Sequence, residues 1–368
     1  MKKILYICSV QLFPIQTGGA QVIHQYLKEL TKENKVILIT VKANDDKSKR
    51  AAVKNKNIKI YDVLNKNSVK KFVFPYTYYK INSLINRYRP NLIIMDLPWF
   101  GLIGIIAKFL FKIPFYIRSH NIEYLRMKRL NKRFWFILKI YEKIVYKYAE
   151  KIICISELDK KTLERELNVS PKKIEVSEYY PDPKIFKENI KARKMIRKLL
   201  NIEDKFVVLF FGSLDYQPNI EAVEIIRNKI APAVLKQNKC IKFLIVGRNL
   251  NNLKSPGNII FTGYVEKIED YINASDLVIV PIQVGGGIRT KIIESIACGK
   301  TVISTNLGAE GIDKKVCQDK LIITDNWFEF TDQIIRLINQ PKKNYVPKGF
   351  IKEYNWPKII DNLKLSPN

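Results

Sequence analysis

The sequence predicts an α/β protein made of two Rossmann-like, doubly wound parallel-sheet domains. Short apolar runs alternate with helical segments, and the alternation runs its course twice along the chain. At 368 residues the chain is too long for one ordinary core, and two domains of about 170 residues are the natural division. A hydrophobic content of 47% is enough for two packed cores.

In the first half, strands are expected at residues 4–10, 36–41, 58–63, 92–95, 115–118 and 151–155, each an apolar run too short for a helix. Helices fall between them at about 20–33, 76–88, 100–111, 122–149 and 157–167. The second half restarts with strands at 206–211, 242–246, 259–261, 277–281, 301–304 and 321–323. Its helices are expected near 220–236, 266–273, 289–298 and 327–339. Strands joined by helical crossovers lie parallel, and ligands of such sheets bind at the carboxyl ends of the strands. The boundary falls in Ser177-Glu-Tyr-Tyr-Pro-Asp-Pro183, where two prolines end regular structure and stiffen the connection. Two sheets facing one another across that linker would form a cleft.

Sixty-four basic residues against 35 acidic ones leave a net charge of +29, so an anionic partner is expected. Nucleic acid is one candidate and an acidic membrane surface another. The position of the charge favours the membrane: residues 125–148 alternate bases with Phe134, Trp135, Phe136 and tyrosines at helical spacing. The same aromatic stripe could instead be core, and much of the charge could be merely solvated. Met1-Lys2-Lys3 leads into an apolar run that stops at Gln11, unlike a secretory leader. No apolar stretch approaches the roughly 18 to 20 residues needed to span a bilayer. Five widely spaced cysteines, an odd number, suit reduced core thiols and a cytoplasmic location.

The most informative segment is Pro281–Gly299, in which Gly285, Gly286 and Gly287 lead through Ile288 into a helix carrying Arg289, Thr290, Lys291 and Glu294. Glycines let an anion approach the backbone amides, and the free N–H groups of the next helix point to the same place. Arg289 and Lys291 add two charges suited to a diphosphate. Glu294 begins the second turn, where a carboxylate reaches ribose hydroxyls but repels phosphate. The plainer reading is a tight strand-to-helix turn.

This pattern resembles the nucleotide-sugar loop of GT-B glycosyltransferases, in particular the retaining family 4, in which a G-G-G-x-R-x-K-x-x-E-x-x-A-x-G run is common. Lys300–Gly311 looks like the family's next strand and Gly-rich turn. Many members carry a second glutamate eight positions before the first, and here that position is Gly286. The resemblance implies an acceptor-side domain at residues 1–180, completed by a returning helix at about 350–368, and a nucleotide-sugar domain at 181–349. It implies a nucleoside diphosphate sugar as donor, an anionic or lipid-linked glycan as acceptor, no cofactor and no required metal.

Other positions take their roles from the same resemblance. Gly18 and Gly19 sit where the first strand turns into its helix and would face the donor diphosphate, or they could be a plain helix entry. His120, in Arg118-Ser-His-Asn-Ile-Glu123, would lie beside the donor sugar and is the one catalytic candidate. A histidine satisfied within the fold is the alternative, and Asn121 and Glu123 suit a helix cap and first turn. Gly212 and Ser213 open the second domain on the diphosphate side. Relatives place Arg where Ser213 stands and Lys where Pro218 stands, which leaves Arg289 and Lys291 as substitutes, with Asn219 as a helix cap. Tyr264 and Val265 would border the base, unless Tyr264 simply packs. Rivals are a GT-B nucleotide-sugar epimerase, for which no acid/base pair can be placed, and a basic nucleic-acid-binding protein, whose motifs are absent. The implied role is cell-surface polysaccharide, lipopolysaccharide or glycolipid synthesis at the inner face of the cell membrane.

Overall fold

The computed structural model describes residues 1–13, 15, 18–42, 55–65, 75–177, 179–248, 257–340 and 344–354. The chain divides into two compact units between Glu178 and Tyr179.

The first unit holds strands β1 (Lys3–Cys8), β2 (Lys35–Val41), β3 (Ile58–Leu64), β4 (Leu92–Asp96), β5 (Phe115–Ser119), β6 (Lys151–Cys154) and β7 (Ile174–Val176). Their spatial order is β3-β2-β1-β4-β5-β6-β7, and every pair is parallel. Helices α1 (Gly18–Glu33), α2 (Pro75–Tyr88), α3 (Gly101–Phe111), α4 (Glu123–Arg129), α5 (Trp135–Tyr148) and α6 (Glu157–Leu167) connect them. The two-residue period of the strands sorts the core onto both faces. Leu5, Ile7, Ile93 and Met95 pack with Ile81 of α2, Ile103 of α3, Val145 of α5 and Leu163 of α6. Ile4, Tyr6 and Ile94 pack with Ile23, Leu27 and Leu30 of α1.

The second unit holds β8 (Phe206–Phe211), β9 (Ile241–Val246), β10 (Ile259–Gly263), β11 (Leu277–Val280), β12 (Thr301–Ser304) and β13 (Leu321–Ile323), in order β10-β9-β8-β11-β12-β13 and again all parallel. Its helices are α7 (Ile190–Leu199), α8 (Gln217–Ile225), α9 (Ala231–Gln237), α10 (Ile268–Ala274), α11 (Thr290–Ala297), α12 (Lys314–Cys317), α13 (Trp327–Ile338) and α14 (Lys348–Glu353). Strand order reverses direction between β1 and β4 in one unit and between β8 and β11 in the other. These are the switch points at which doubly wound sheets leave room for a ligand.

Several elements differ from expectation. The single helix expected at 122–149 is two, α4 and α5, broken where Asn131 adopts a left-handed φ of 51°, a conformation asparagine tolerates. The helix expected at 220–236 starts at Gln217 and passes through a π turn, Ile226–Ile230, just ahead of Pro232. Proline lacks the N–H of a regular turn and crowds the carbonyl four residues back, and the wider turn absorbs both. Strand β7 and helix α7 have no counterpart in the expected elements. β7 spans three residues, one of them Glu175, and α7 is a polar helix anchored by ion pairs from Arg193 and Arg197 to the buried Asp276. Of the returning helix expected at 350–368, residues 355–368 lie outside the described residues, and α14 belongs to the second unit.

Candidate active site

In the second unit the loops after β8 and β11 flank the switch point and bring most of the singled-out residues together. Gly285 and Gly287 have φ values of 98° and 79°, open to glycine and strained for other residues. A Cβ on Gly285 would also lie 2.9 Å from the Tyr216 hydroxyl and 3.0 Å from Pro218 Cγ. Tyr216 ends the loop after β8 and Pro218 lies in the first turn of α8, so the missing side chain is what lets the glycine turn close on them. On the other side, a Cβ on Gly212 would meet the Asn219 amide at 2.7 Å.

Arg289 is buried and folds its guanidinium back onto the loop, donating from Nη1 to the carbonyl oxygen of Gly286 at 2.5 Å and to that of Gly287. It therefore fixes the shape of the glycine turn while adding charge to it. Lys291, in the first turn of α11, donates from Nζ to Asn219 Oδ1 at 3.0 Å and lies 4.3 Å from the Phe210 ring centroid. Burial, reinforced by the Arg289 charge, pushes its ammonium down to about 7. Asn219 in turn donates from Nδ2 to the Ser213 carbonyl at 2.8 Å, so one amide ties the two loops. It is thus no helix cap: it is the third residue of α8, whose N-cap is Tyr216.

Glu294 is 3% exposed, and its Oε1 accepts a hydrogen bond from the Tyr179 hydroxyl at 2.9 Å. Burial pushes its carboxyl up to about 7, partly opposed by Tyr179, by the Lys291 charge and by the Thr290 side chain. Ile288 is half-buried in the same turn. Tyr264 and Val265 follow β10 at the same carboxyl edge; the Tyr264 ring is 47% exposed and does not serve the core.

Two residues of this site escaped sequence reasoning. Arg248, just beyond β9, brings Nη2 within 3.5 Å of Ser213 Oγ and pairs with Asp215 at 3.2 Å, which puts a cation beside Ser213. Tyr179 lies 115 positions from Glu294. Neither stands in a motif, so only the fold reveals them.

In the first unit, His120 follows β5, and Gly18 and Gly19 open α1. A Cβ on Gly19 would meet nothing within 4 Å. His120 Nε2 lies 2.6 Å from Asp96 Oδ1, at the end of β4. Arg118 Nη1 lies 3.1 Å from the same oxygen and donates to the Tyr6 hydroxyl at 2.7 Å, with its guanidinium 3.7 Å from the Tyr26 ring centroid. Burial alone would raise the Asp96 carboxyl, but Arg118 and then His120 outweigh it and hold the group below the usual carboxylate range. Asp96 Oδ2 is buried with no hydrogen-bond partner among the described residues. Asp96, Arg118 and Tyr6 thus form a charged base beneath His120. Asn121 is not the cap of α4: the N-cap is Ile122, and the Glu142 carboxylate of α5 accepts the N–H groups of Glu123 and Tyr124 at 3.0 and 2.9 Å.

Two parallel α/β sheets, one with a glycine and cation turn at its switch point, define the class: the protein is a GT-B glycosyltransferase. The family described as Glycosyltransferase Family 4 matches residues 17–177, and the one described as Glycosyl transferases group 1 matches residues 205–340. Glycosyltransferase models thus match both halves of the chain, which is a glycosyltransferase. It is 27% identical to an uncharacterised glycosyltransferase of Methanocaldococcus jannaschii, over 99% of this chain and 98% of the relative. It is 25% identical to the UDP-Gal:alpha-D-GlcNAc-diphosphoundecaprenol alpha-1,3-galactosyltransferase of Escherichia coli, over 72% of this chain and 71% of that protein. The crystal structure of Anabaena HepE in complex with UDP and glucose shares the fold, with a TM-score of 0.76, 15% identity and 98% of each chain covered. Among the described residues no helix is long and apolar enough to cross a membrane.

Proposed function

We propose that the protein moves a sugar from a nucleoside diphosphate sugar to an acceptor hydroxyl with retention of anomeric configuration. The observation that carries this reading is the left-handed turn of Gly285 and Gly287 feeding α11, with Arg289 holding its shape and Lys291 one turn below. Loss of the diphosphate concentrates negative charge on the leaving phosphate. Amides of the glycine turn, the start of α11 and the Lys291 ammonium stabilise that charge, with Arg248 beside Ser213 as a further cation. No metal is required for this. Glu294 binds the ribose, Tyr264 and Val265 border the base, and His120 positions the sugar while the leaving phosphate takes the proton of the incoming hydroxyl. UDP occupies the Anabaena structure, and the Escherichia coli relative is named for UDP-Gal, so uridine diphosphate sugars are the first donors to test.

The acceptor in this reading is an anionic or lipid-linked glycan of surface polysaccharide, lipopolysaccharide or glycolipid synthesis. It is met at the acidic inner face of the cell membrane through the basic residues 125–148. Thermal-shift screening of nucleotide sugars tests the donor half: one of them stabilises the wild type, and Lys291→Ala removes that stabilisation while circular dichroism shows the fold retained. Failure of every nucleotide sugar to bind would end the reading. Release of nucleoside diphosphate that needs no acceptor hydroxyl would instead favour an epimerase. NMR of the product anomer reports retention directly.

A further inference from the structure

We propose that the outer sides of α3 and α5 form one face that inserts into the headgroup region of an anionic bilayer. The proposal rests on the membrane reading of residues 125–148 and extends it to a helix, α3, that the charge pattern of the sequence does not mark. The two helices lie side by side in one layer: a Cβ on Gly101 would stand 2.3 Å from Val145, and the Phe109 and Tyr148 rings lie 5.5 Å apart. Each buries one side and leaves a row of large apolar residues in water at helical spacing. On α3 these are Leu102, Ile106 and Leu110, exposed by 45, 47 and 71%; on α5 they are Ile137, Ile140 and Ile144, exposed by 54, 61 and 45%. An apolar surface of this extent on a soluble domain marks a contact with something.

Charge identifies the occupant as an anionic lipid surface. Residues 101–112 contain no acid, and residues 125–149 contain eight Lys or Arg and the single acid Glu142, which is fully buried. Lys112, Lys143 and Lys147 are exposed beside the apolar rows. Glu150 and Glu166 are taken up by Lys108 and Lys139 at 3.0 and 3.1 Å, and Glu123 by Arg126 at 2.6 Å. A second copy of this chain would bring the same cations against themselves. Apolar side chains ringed by lysines match an interface in which acyl carbon lies below phosphate.

Co-sedimentation of the full chain with large vesicles tests this. Wild type should partition onto phosphatidylcholine vesicles containing phosphatidylglycerol and only weakly onto pure phosphatidylcholine. Ile106→Ser with Leu110→Ser on α3, and Ile137→Ser with Ile140→Ser on α5, should each weaken partition about tenfold or more. Lys143→Gln with Lys147→Gln should mainly reduce the salt-sensitive part. Donor-induced thermal stabilisation, unchanged in all three variants, shows that they fold. Wild type left in the supernatant at physiological salt overturns both the face and the membrane reading. Binding that survives the α3 pair overturns the two-helix face alone. A dimer in solution that the serine variants dissolve assigns the face to a second copy and overturns the proposal.

Discussion

At the scale of single residues, the helix after the glycine turn carries a base and an acid of matched titration. Lys291 is pushed down and Glu294 up, each to about 7. A bound diphosphate favours the charged ammonium, so affinity falls as pH rises above 7 and the free lysine loses its proton. Ribose hydroxyls favour the carboxylate, so affinity also falls as pH drops below 7 and the free glutamate gains one. Calorimetry of nucleotide binding should therefore give a bell centred near pH 7; Glu294→Gln should flatten the acid limb and Lys291→Met the alkaline one. At pH 7, Lys291→Met should weaken binding by about 2 kcal/mol, the scale of a hydrogen bond to a charged group. Asp96 offers a different test. Asp96→Asn leaves Arg118 buried without its counter-charge and should lower unfolding stability by about 3 kcal/mol in denaturant titration. Because the folded Asp96 carboxyl titrates below its unfolded value, this stabilisation is complete above about pH 4 and fades as pH falls further. Gly285, Arg289, Lys291 and Glu294 were legible because they are neighbours in sequence with a recognisable spacing. Asp96, Arg248 and Tyr179 were not, since each is drawn in by strand order.

Among the elements, the strand runs were readable because parallel strands covered on both faces leave short uninterrupted apolar stretches. β8, β12 and β13 match their expected limits to the residue. Elements held by polar contacts were not readable: β7 is completed by its neighbour, with Lys151 and Glu175 paired at 2.6 Å, and α7 by the buried Asp276. The break between α4 and α5 had a local signal, Asn131, hidden inside a continuous amphipathic pattern. The packing of α3 supports a prediction of its own. A Cβ on Gly104 would lie 2.6 Å from Met95 Cε and from Phe115 Cγ, with no room for it in the layer. Gly104→Ala should cost about 1–3 kcal/mol of unfolding free energy, as overpacking does, although alanine is the better helix former.

For the whole molecule, the double alternation along the chain was enough to predict two doubly wound sheets, because crossover helices leave parallel order as the one economical arrangement. The cations supplied by the protein lead to a further expectation: transfer should continue at full rate in EDTA, measured as nucleoside diphosphate release in the presence of acceptor. Loss of activity restored by magnesium would show that protein charge alone is insufficient. One connection in the first unit carries a larger meaning. While the outer side of α5 presents isoleucines, its inner side sends Glu142 to the N–H groups of Glu123 and Tyr124 and brings the Tyr146 hydroxyl within 3.1 Å of Ser119 Oγ. Segments on either side of His120, one through a side chain and one through the backbone, are therefore moored to one helix, α5. If α5 docks and His120 orients the sugar as proposed, the two traits share one support, and a substitution on the inner side of that helix should alter both.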